Sequence, residues 1–172
     1  MAAALSTARR LGAKNLVGFE VDQVAYAVDI QRVREVIRPL PTVELPGMPK
    51  AILGVADHRG AVMPVIDLRL RLGVGNAPRT WQGRWVVVDR PGGLVALVVD
   101  RVTEVFGGEA SQERNIPDVR GGDDRTVFSA VYGLKGSLVF VLDVDVLTAM
   151  SEEVDISMAR AMLEEKATND PC

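Results

Sequence analysis

Apolar and polar positions alternate along this chain in short runs, and turn-forming residues separate the runs. In residues 16–21, Val17, Phe19 and Val21 share one face; in residues 24–30, Val24, Tyr26, Val28 and Ile30 do the same. Period-two alternation on both sides of Asp22-Gln23 predicts an antiparallel hairpin. From Asp29 to Arg38 the period changes. Ile30, Val33, Val36 and Ile37 fall at helical spacing, leaving Arg32, Arg34, Glu35 and Arg38 free to face out. Pro39 ends that segment. With Pro41, Pro46 and Pro49 it marks a stiff, extended connector up to Lys50.

The next stretch organises the rest. Apolar runs at 51–55 and 61–66 flank a polar break at Arg59-Gly60, which reads as a hairpin with Arg59 at its tip. Pro64 cannot donate to a ladder, so its strand is an edge or is bulged there. Asp67 is placed to cap a short helix over Leu68–Leu72, with Gly73 as its left-handed stop. Residues 74–83 read as an insertion between halves. Residues 84–89 and 94–100 form another hairpin around Arg90-Pro91-Gly92-Gly93. A strand over 101–106 follows, then a polar, Gly-rich stretch from Gly107 to Asp124 that reads as a mobile loop. A last hairpin joins 126–132 to 137–142. Residues 143–150 form a short helix. Ser151 is placed to cap a final helix whose apolar stripe is Val154, Met158, Met162 and Leu163.

This makes nine or ten short strands joined mostly by hairpins, without a βαβ rhythm, so the fold class is all-β. One barrel of that many strands would enclose a cavity, whereas two five-stranded barrels can be filled by Val, Ile and Leu. The composition agrees with small barrels: 48% of the 172 residues are hydrophobic but only 5% are aromatic. A net charge of −3 gives no footprint for nucleic acid. The cations are nearly all Arg, because Lys occurs only as Lys14, Lys50, Lys135 and Lys166; Arg suits fixed pairing with carboxylates. Cys172 is the only cysteine, so no internal disulfide forms and a reducing, cytoplasmic setting fits. No apolar run reaches membrane-spanning length, and direct membrane insertion is not expected. Residues 1–15 read as a disordered tail.

The usual catalytic apparatus is missing. No phosphate-binding glycine loop occurs, and Gly73-Val-Gly follows a helix where a dinucleotide motif follows a strand. His58 is the single histidine, which leaves no histidine metal site or catalytic triad; its ring is expected to be solvated beside the turn. An apolar strand ending in Asp recurs at Asp67, Asp89, Asp100 and Asp143. A carboxylate cluster is one reading; the favoured one is that each Asp starts a turn or caps a helix. Enzymatic activity, a cofactor and a metal are therefore not expected.

The stretch from Gly54 to Gly73 resembles the signature of the CheW-like family, the bacterial chemotaxis coupling proteins. Their pattern runs Gly-Val-x-Asn-Leu-Arg-Gly-x-x-x-Pro-Val-x-Asp-Leu-Arg. Arg59, Gly60, Pro64, Asp67, Leu68 and Arg69 stand where it wants them, while Asp57-His58 replaces the usual Asn-Leu. The resemblance extends over residues 16–150, a domain of two lobes followed by a C-terminal helix and tail. It implies two SH3-like β-barrels packed together, and an adaptor that couples the cytoplasmic tip of a chemoreceptor to the regulatory domain of a histidine kinase, at membrane-associated receptor arrays. It assigns receptor binding to Val33, Glu35, Gly54, Arg59 and Val102, and to Ala96, where the family often has Gly. Kinase binding in the family uses exposed aliphatics, for which Ile52 and Val62, flanking the central turn, are the candidates; Phe106 is more simply a core residue. Without the resemblance, Val33, Val36 and Val102 are ordinary core and Glu35–Arg59 is a surface ion pair of little weight. The alternatives are an SH3-like scaffold without kinase coupling, which a kinase pull-down separates, and a small-ligand-binding or enzymatic barrel, which a ligand-induced melting shift would reveal.

Overall fold

The computed structural model describes residues 15–74, 83–107, 112–114, 127–154 and 156–169. Among the described residues eleven strands lie in two sheets, with the order β8-β1-β2-β11-β10-β9 in the first and β3-β6-β7-β5-β4 in the second. The strands are β1 (Asn15–Val21), β2 (Val24–Asp29), β3 (Val33–Ile37), β4 (Ile52–His58), β5 (Ala61–Asp67), β6 (Arg84–Arg90), β7 (Gly93–Val99), β8 (Arg101–Gly107), β9 (Gln112–Arg114), β10 (Phe128–Leu134) and β11 (Ser137–Leu142). The described residues also form the α-helices α1 (Leu68–Leu72), α2 (Val144–Thr148) and α3 (Ile156–Asn169). The nine strands read from the sequence are present, five in the first sheet and four in the second, whose fifth strand is β3. The first sheet adds the three-residue β9, inside the stretch read as a loop.

The chain passes between the sheets twice, after β2 and after β7, so its two ends build one sheet and its middle builds the other. Residues 74–83 join α1 to β6 within the second sheet, so they do not separate the halves. Residues 75–82, like residues 1–14, lie outside the described residues.

Three apolar clusters follow from this path. Ala56, Met63, Val65, Trp85, Val87 and Ala96 belong to the second sheet alone. Leu16, Ala27, Phe106, Ala130, Tyr132, Leu134, Val139 and Val141 belong to the first alone. Between them Val17, Phe19, Val21 and Val28 of the first sheet meet Val55, Ile66, Val86, Val88 and Leu97 of the second. The unbroken run Trp85-Val86-Val87-Val88 is thereby explained: alternate side chains fill the second sheet's own core and the shared one. Each fully buried Val, Ile or Phe stabilises by ~1.5–3 kcal/mol, so this shared cluster outweighs any surface ion pair in holding the sheets together.

Two polar clamps stand at the crossings. Asp67 caps α1, its carboxylate accepting from Arg69 N at 2.9 Å, and Gly73 closes the helix at φ 67°. Asp143 caps α2 in the same way. The residue two beyond each cap reaches a crossing. Arg69 donates to both oxygens of Asp100, at 3.0 and 2.6 Å, where β7 passes to β8. Asp145 accepts from Arg32 at 2.6 and 3.2 Å, where β2 passes to β3. The two halves thus use one device with the charges exchanged. The terminal Asp residues cap helices at Asp67 and Asp143 and hold arginines at Asp89 and Asp100.

Several expectations need correction. Residues 30–37 are a single 3-10 turn, capped by Asp29, followed by strand β3, not a helix. Val33, Val36 and Ile37 pair with Val88, Val86 and Trp85, and sheet formation by β-branched residues overrides a local period too short to be decisive. Val36 is exposed, not core. Ser151 does not cap α3; it sits in a 3-10 turn and its Oγ donates to Thr148 O. On α3 the inward positions are Ala159, fully buried, and Leu163, whereas Met158 is exposed. Val154 also enters the shared core, so the segment after Met150 is not an appendage.

Candidate functional site

β4 and β5 are joined by a two-residue turn in which Arg59 and Gly60 have φ 54° and 83°. Positive φ at both positions is the turn that matches the twist of a hairpin, and Asn-Gly or Asp-Gly are its favoured occupants. Asp57 Oδ1 accepts from Gly60 N at 2.8 Å and steadies the turn. Arg59 is a strained choice here, since a side chain with Cβ meets backbone in the left-handed region. Lys135 adopts the same conformation, φ 50°, in the turn between β10 and β11, so the backbone alone does not single out Arg59, whose side chain is 78% exposed. Pro64 pairs with Val55 and lies just outside the β5–β7 register, which covers Val65–Asp67. The missing N–H therefore breaks no bond to β7.

β3 and β4 stand at opposite ends of the second sheet's order, yet His58 Nε2 lies 2.6 Å from Glu35 Oε1. The sheet has curled until its edges meet, and this contact closes one end of the seam. A carboxylate only accepts, so the ring nitrogen facing it carries the hydrogen. The hydrogen bond from His58 is the main reason the Glu35 carboxyl is held below its ordinary pKa, with Arg59 and Arg34 adding positive charge. Arg59 Nη1 is 3.7 Å from the same oxygen, an ion pair but not a hydrogen bond. The His58 side chain is only 12% exposed, so the expectation of a solvated ring is corrected: the seam encloses it. In the other sheet, Lys135 Nζ pairs with Glu104 at 3.1 Å, tying β8 to the β10–β11 turn at a comparable seam.

The remaining candidates divide sharply. Val33 is half-buried on β3, two residues from Glu35, and Val102 is half-buried on β8, opposite Phe19; both pack on the shared core. Gly54 has φ 146°, and a Cβ there would stand 2.1 Å from Val43 O. Its role is to let the connector cross β4, where Val43 and Val55 exchange backbone bonds of 2.8 and 2.9 Å. Ala96 is fully buried in mid-sheet and Ile52 is buried in the shared core, so neither presents a side chain to a partner. Those two assignments are withdrawn. Phe106 is buried in the first sheet's cluster, as a core residue.

Val62 is half-buried and lines a groove of about 500 Å³ beside the turn. Pro41, Val43, Asp57 and Gly60 continue that wall, and Leu163, with Arg160, Glu164 and Lys166, forms the other. The structure therefore brings together Glu35, Arg59 and, near them, Val62. It adds His58, whose partner lies 23 residues away in sequence and could be found only by knowing which edges meet.

Among the described residues no three His, Cys, Asp or Glu side chains gather as a metal site requires, and no helix is long and apolar enough to cross a membrane. Two small barrels with a shared core and a strained, exposed cationic turn make an interaction module. Comparison with known proteins gives the family. The CheW-like domain model matches residues 15–152, and the chain belongs to that family. It is 28% identical over 134 residues to a chemotaxis protein CheW of Rhizobium meliloti, covering 78% of this chain and 86% of that one. Protein FrzA of Myxococcus xanthus is 36% identical over 107 residues, 55% of this chain and 67% of its own. The crystal structure of the scaffolding protein TtCheW from Thermoanaerobacter tengcongensis superposes with a TM-score of 0.70 at 28% identity, over 83% of this chain and 94% of that one. The fold is accordingly the SH3-like double barrel.

Proposed function

We propose that this protein is a non-catalytic adaptor of a chemotaxis-type pathway, joining the cytoplasmic tip of a chemoreceptor to the regulatory domain of a histidine kinase. Membership of the CheW-like family and likeness to a scaffolding protein support the adaptor role. The observation that carries the receptor limb is Arg59, kept in a backbone conformation that favours Asn or Gly, exposed, and only loosely paired to Glu35. Receptor contact falls on Glu35 and Arg59, with Val33 and Val102 as apolar neighbours. Kinase contact falls on Val62 and the groove it lines. Two adjoining surfaces on one rigid body, the Arg59 turn and the groove beside it, let receptor state bias kinase activity through differential contacts. Such an adaptor works at membrane-associated receptor arrays.

The test is equilibrium binding of the native chain to a receptor cytoplasmic fragment and, separately, to a kinase regulatory domain. Both should bind. Receptor binding without kinase binding would instead support a scaffold that has no kinase coupling, and binding to neither would overturn the adaptor role.

A further inference from the structure

The second half of the chain repeats the first. The order β8-β1-β2-β11-β10, up to the short β9, matches β3-β6-β7-β5-β4 strand for strand. The sequence follows the same path. Arg32-Val33-Arg34-Glu35-Val36, entering β3, has its counterpart in Arg101-Val102-Thr103-Glu104-Val105 of β8. Val55, Arg59, Gly60, Val65 and Asp67 have theirs, at identical spacing, in Val131, Lys135, Gly136, Val141 and Asp143. Both hairpins shift register at the same place, between Ile52 and Gly54 in one and between Phe128 and Ala130 in the other. Both turn on a cation and a glycine of positive φ, 54° and 83° in the first and 50° and 79° in the second. In both, the cation meets a glutamate of the facing edge strand. Glu35 lies 3.7 Å from Arg59, and Glu104 lies 3.1 Å from Lys135.

Folding accounts for part of this repeat, because the valines pack, the glycines turn and the two aspartates cap helices. It does not account for what surrounds Lys135. That side chain is 75% exposed. Leu138 stands where the first hairpin has Val62 and is 51% exposed, and Val105 stands where β3 has Val36 and is 58% exposed. Among the described residues no large apolar side chain is more exposed than these two. One difference opens the second site further. His58 closes the seam beside Arg59, whereas its counterpart is Leu134. Between β8 and the Lys135 turn there is a groove of about 200 Å³, floored by Tyr26, Phe106, Leu134 and Val139 and rimmed by Glu104 and Lys135. An apolar floor with a charged rim suits an apolar side chain flanked by an ionised one.

We propose that the Lys135 turn is a second docking surface, equivalent to the Arg59 turn, and that it takes a second carboxylate-bearing segment of the receptor tip, so that one chain holds two. The choice of occupant rests on the receptor-docking reading of Arg59. A segment that sets a carboxylate against the first turn meets the same pattern at the second: a cation at the tip, a glutamate behind it and an aliphatic side chain just after the glycine. The two surfaces differ in strength. Arg59 offers a planar fork that matches a carboxylate, whereas Lys135 offers a compact, strongly hydrated ammonium that Glu104 already holds. The second surface is therefore the weaker one. Two sites on one chain let it bridge neighbouring receptors, which raises the avidity of the assembly without any tighter single contact.

The experiment titrates the full chain, by calorimetry, with a fragment carrying a single receptor-tip segment. The native chain should take two segments, one tightly and one more weakly. Lys135→Asn suits the positive φ of its turn, so it should melt with the native chain, keep the tight site and take one segment. Leu138→Ser, at an exposed position, should weaken the second site roughly tenfold and leave the first unchanged. Arg59→Asn should keep only the weak site, and the variant carrying both Asn substitutions should keep neither. A native chain that takes one segment, with Lys135→Asn binding as tightly, would overturn the proposal and leave Arg59 as the docking residue. Two segments that both survive Lys135→Asn would overturn it too. If Lys135→Asn or Leu138→Ser instead lowers affinity for the kinase regulatory domain, or abolishes a self-association of the native chain, with two-segment binding intact, the assigned occupant is wrong. A fragment that binds no form of the chain would overturn the receptor reading of Arg59 together with this one.

Discussion

Replacing Gly54 by Ala separates a folding role from a binding role at a residue the family resemblance assigns to receptor contact. The added Cβ would lie 2.1 Å from Val43 O and 2.7 Å from Val43 C, both backbone atoms of the connector that crosses β4. No side-chain rotation relieves that contact, so the connector must shift and its two bonds to Val55 stretch. Overpacking of this kind costs ~1–3 kcal/mol. The φ of 146° is a conformation only glycine adopts easily, and imposing it on Ala costs another ~1–3 kcal/mol. Together these give ~2–6 kcal/mol, which for a chain of this length lowers Tm by roughly 4–24 °C. Thermal melts followed by circular dichroism, with urea titration for the free energy, would measure it. A Gly54→Ala protein that melts within about 1 °C of native would refute the reasoning, and lost receptor affinity in that stable protein would return Gly54 to the binding surface.

Arg69→Met should destabilise by ~2–3 kcal/mol, between an exposed pair and a fully buried one, because Arg69 is largely buried and bridges α1 to the β7–β8 crossing; a loss below about 0.5 kcal/mol in urea unfolding would show the clamp to be dispensable. The hydrogen bond from Arg32 depresses the Asp145 carboxyl, so its stabilisation is present above the ordinary carboxylate range and is lost as pH falls through the folded value. The Tm difference between native and Asp145→Asn should accordingly be full at pH 7, begin to shrink only as pH falls below about 4, and be gone below the depressed folded value; a difference that does not change with pH would contradict the assignment. Truncation after Met150 should lower stability by ~2–4 kcal/mol, since Val154 and Ala159 leave the shared core. An unchanged melt would show that α3 does not pack as described.

Much of this fold was legible because its hairpins are marked locally. Alternation in β1 and β2, the Arg59-Gly60 turn, the Asp67 cap and the Gly73 stop are all contained within a few residues, and each was found where the pattern put it. What was not legible depends on contacts distant in sequence. β3 reads as a helix because Val33, Val36 and Ile37 satisfy both periods over so few residues, and only pairing with β6 decides. Ser151 looks like a helix cap until the chain is seen to make a 3-10 turn there. At the site, Glu35 and Arg59 were named from the family resemblance. Burial then removed Ala96 and Ile52, because a sequence match carries no information on which side of a strand faces out. His58 looked incidental for the same reason: its partner is on the opposite edge of the sheet.

The central claim, that the chain bridges two partners and uses Arg59 for one of them, is tested most directly by Arg59→Asn. Asn suits the left-handed position in this turn better than Arg does, so stability should be unchanged or raised by ~0–1 kcal/mol. The measurement is the affinity of this one variant for the receptor fragment and for the kinase regulatory domain, alongside its melting curve. The account predicts receptor affinity reduced about 5- to 150-fold, equivalent to ~1–3 kcal/mol, with kinase affinity and folding intact. Native affinity for the receptor in the Asn variant would contradict it.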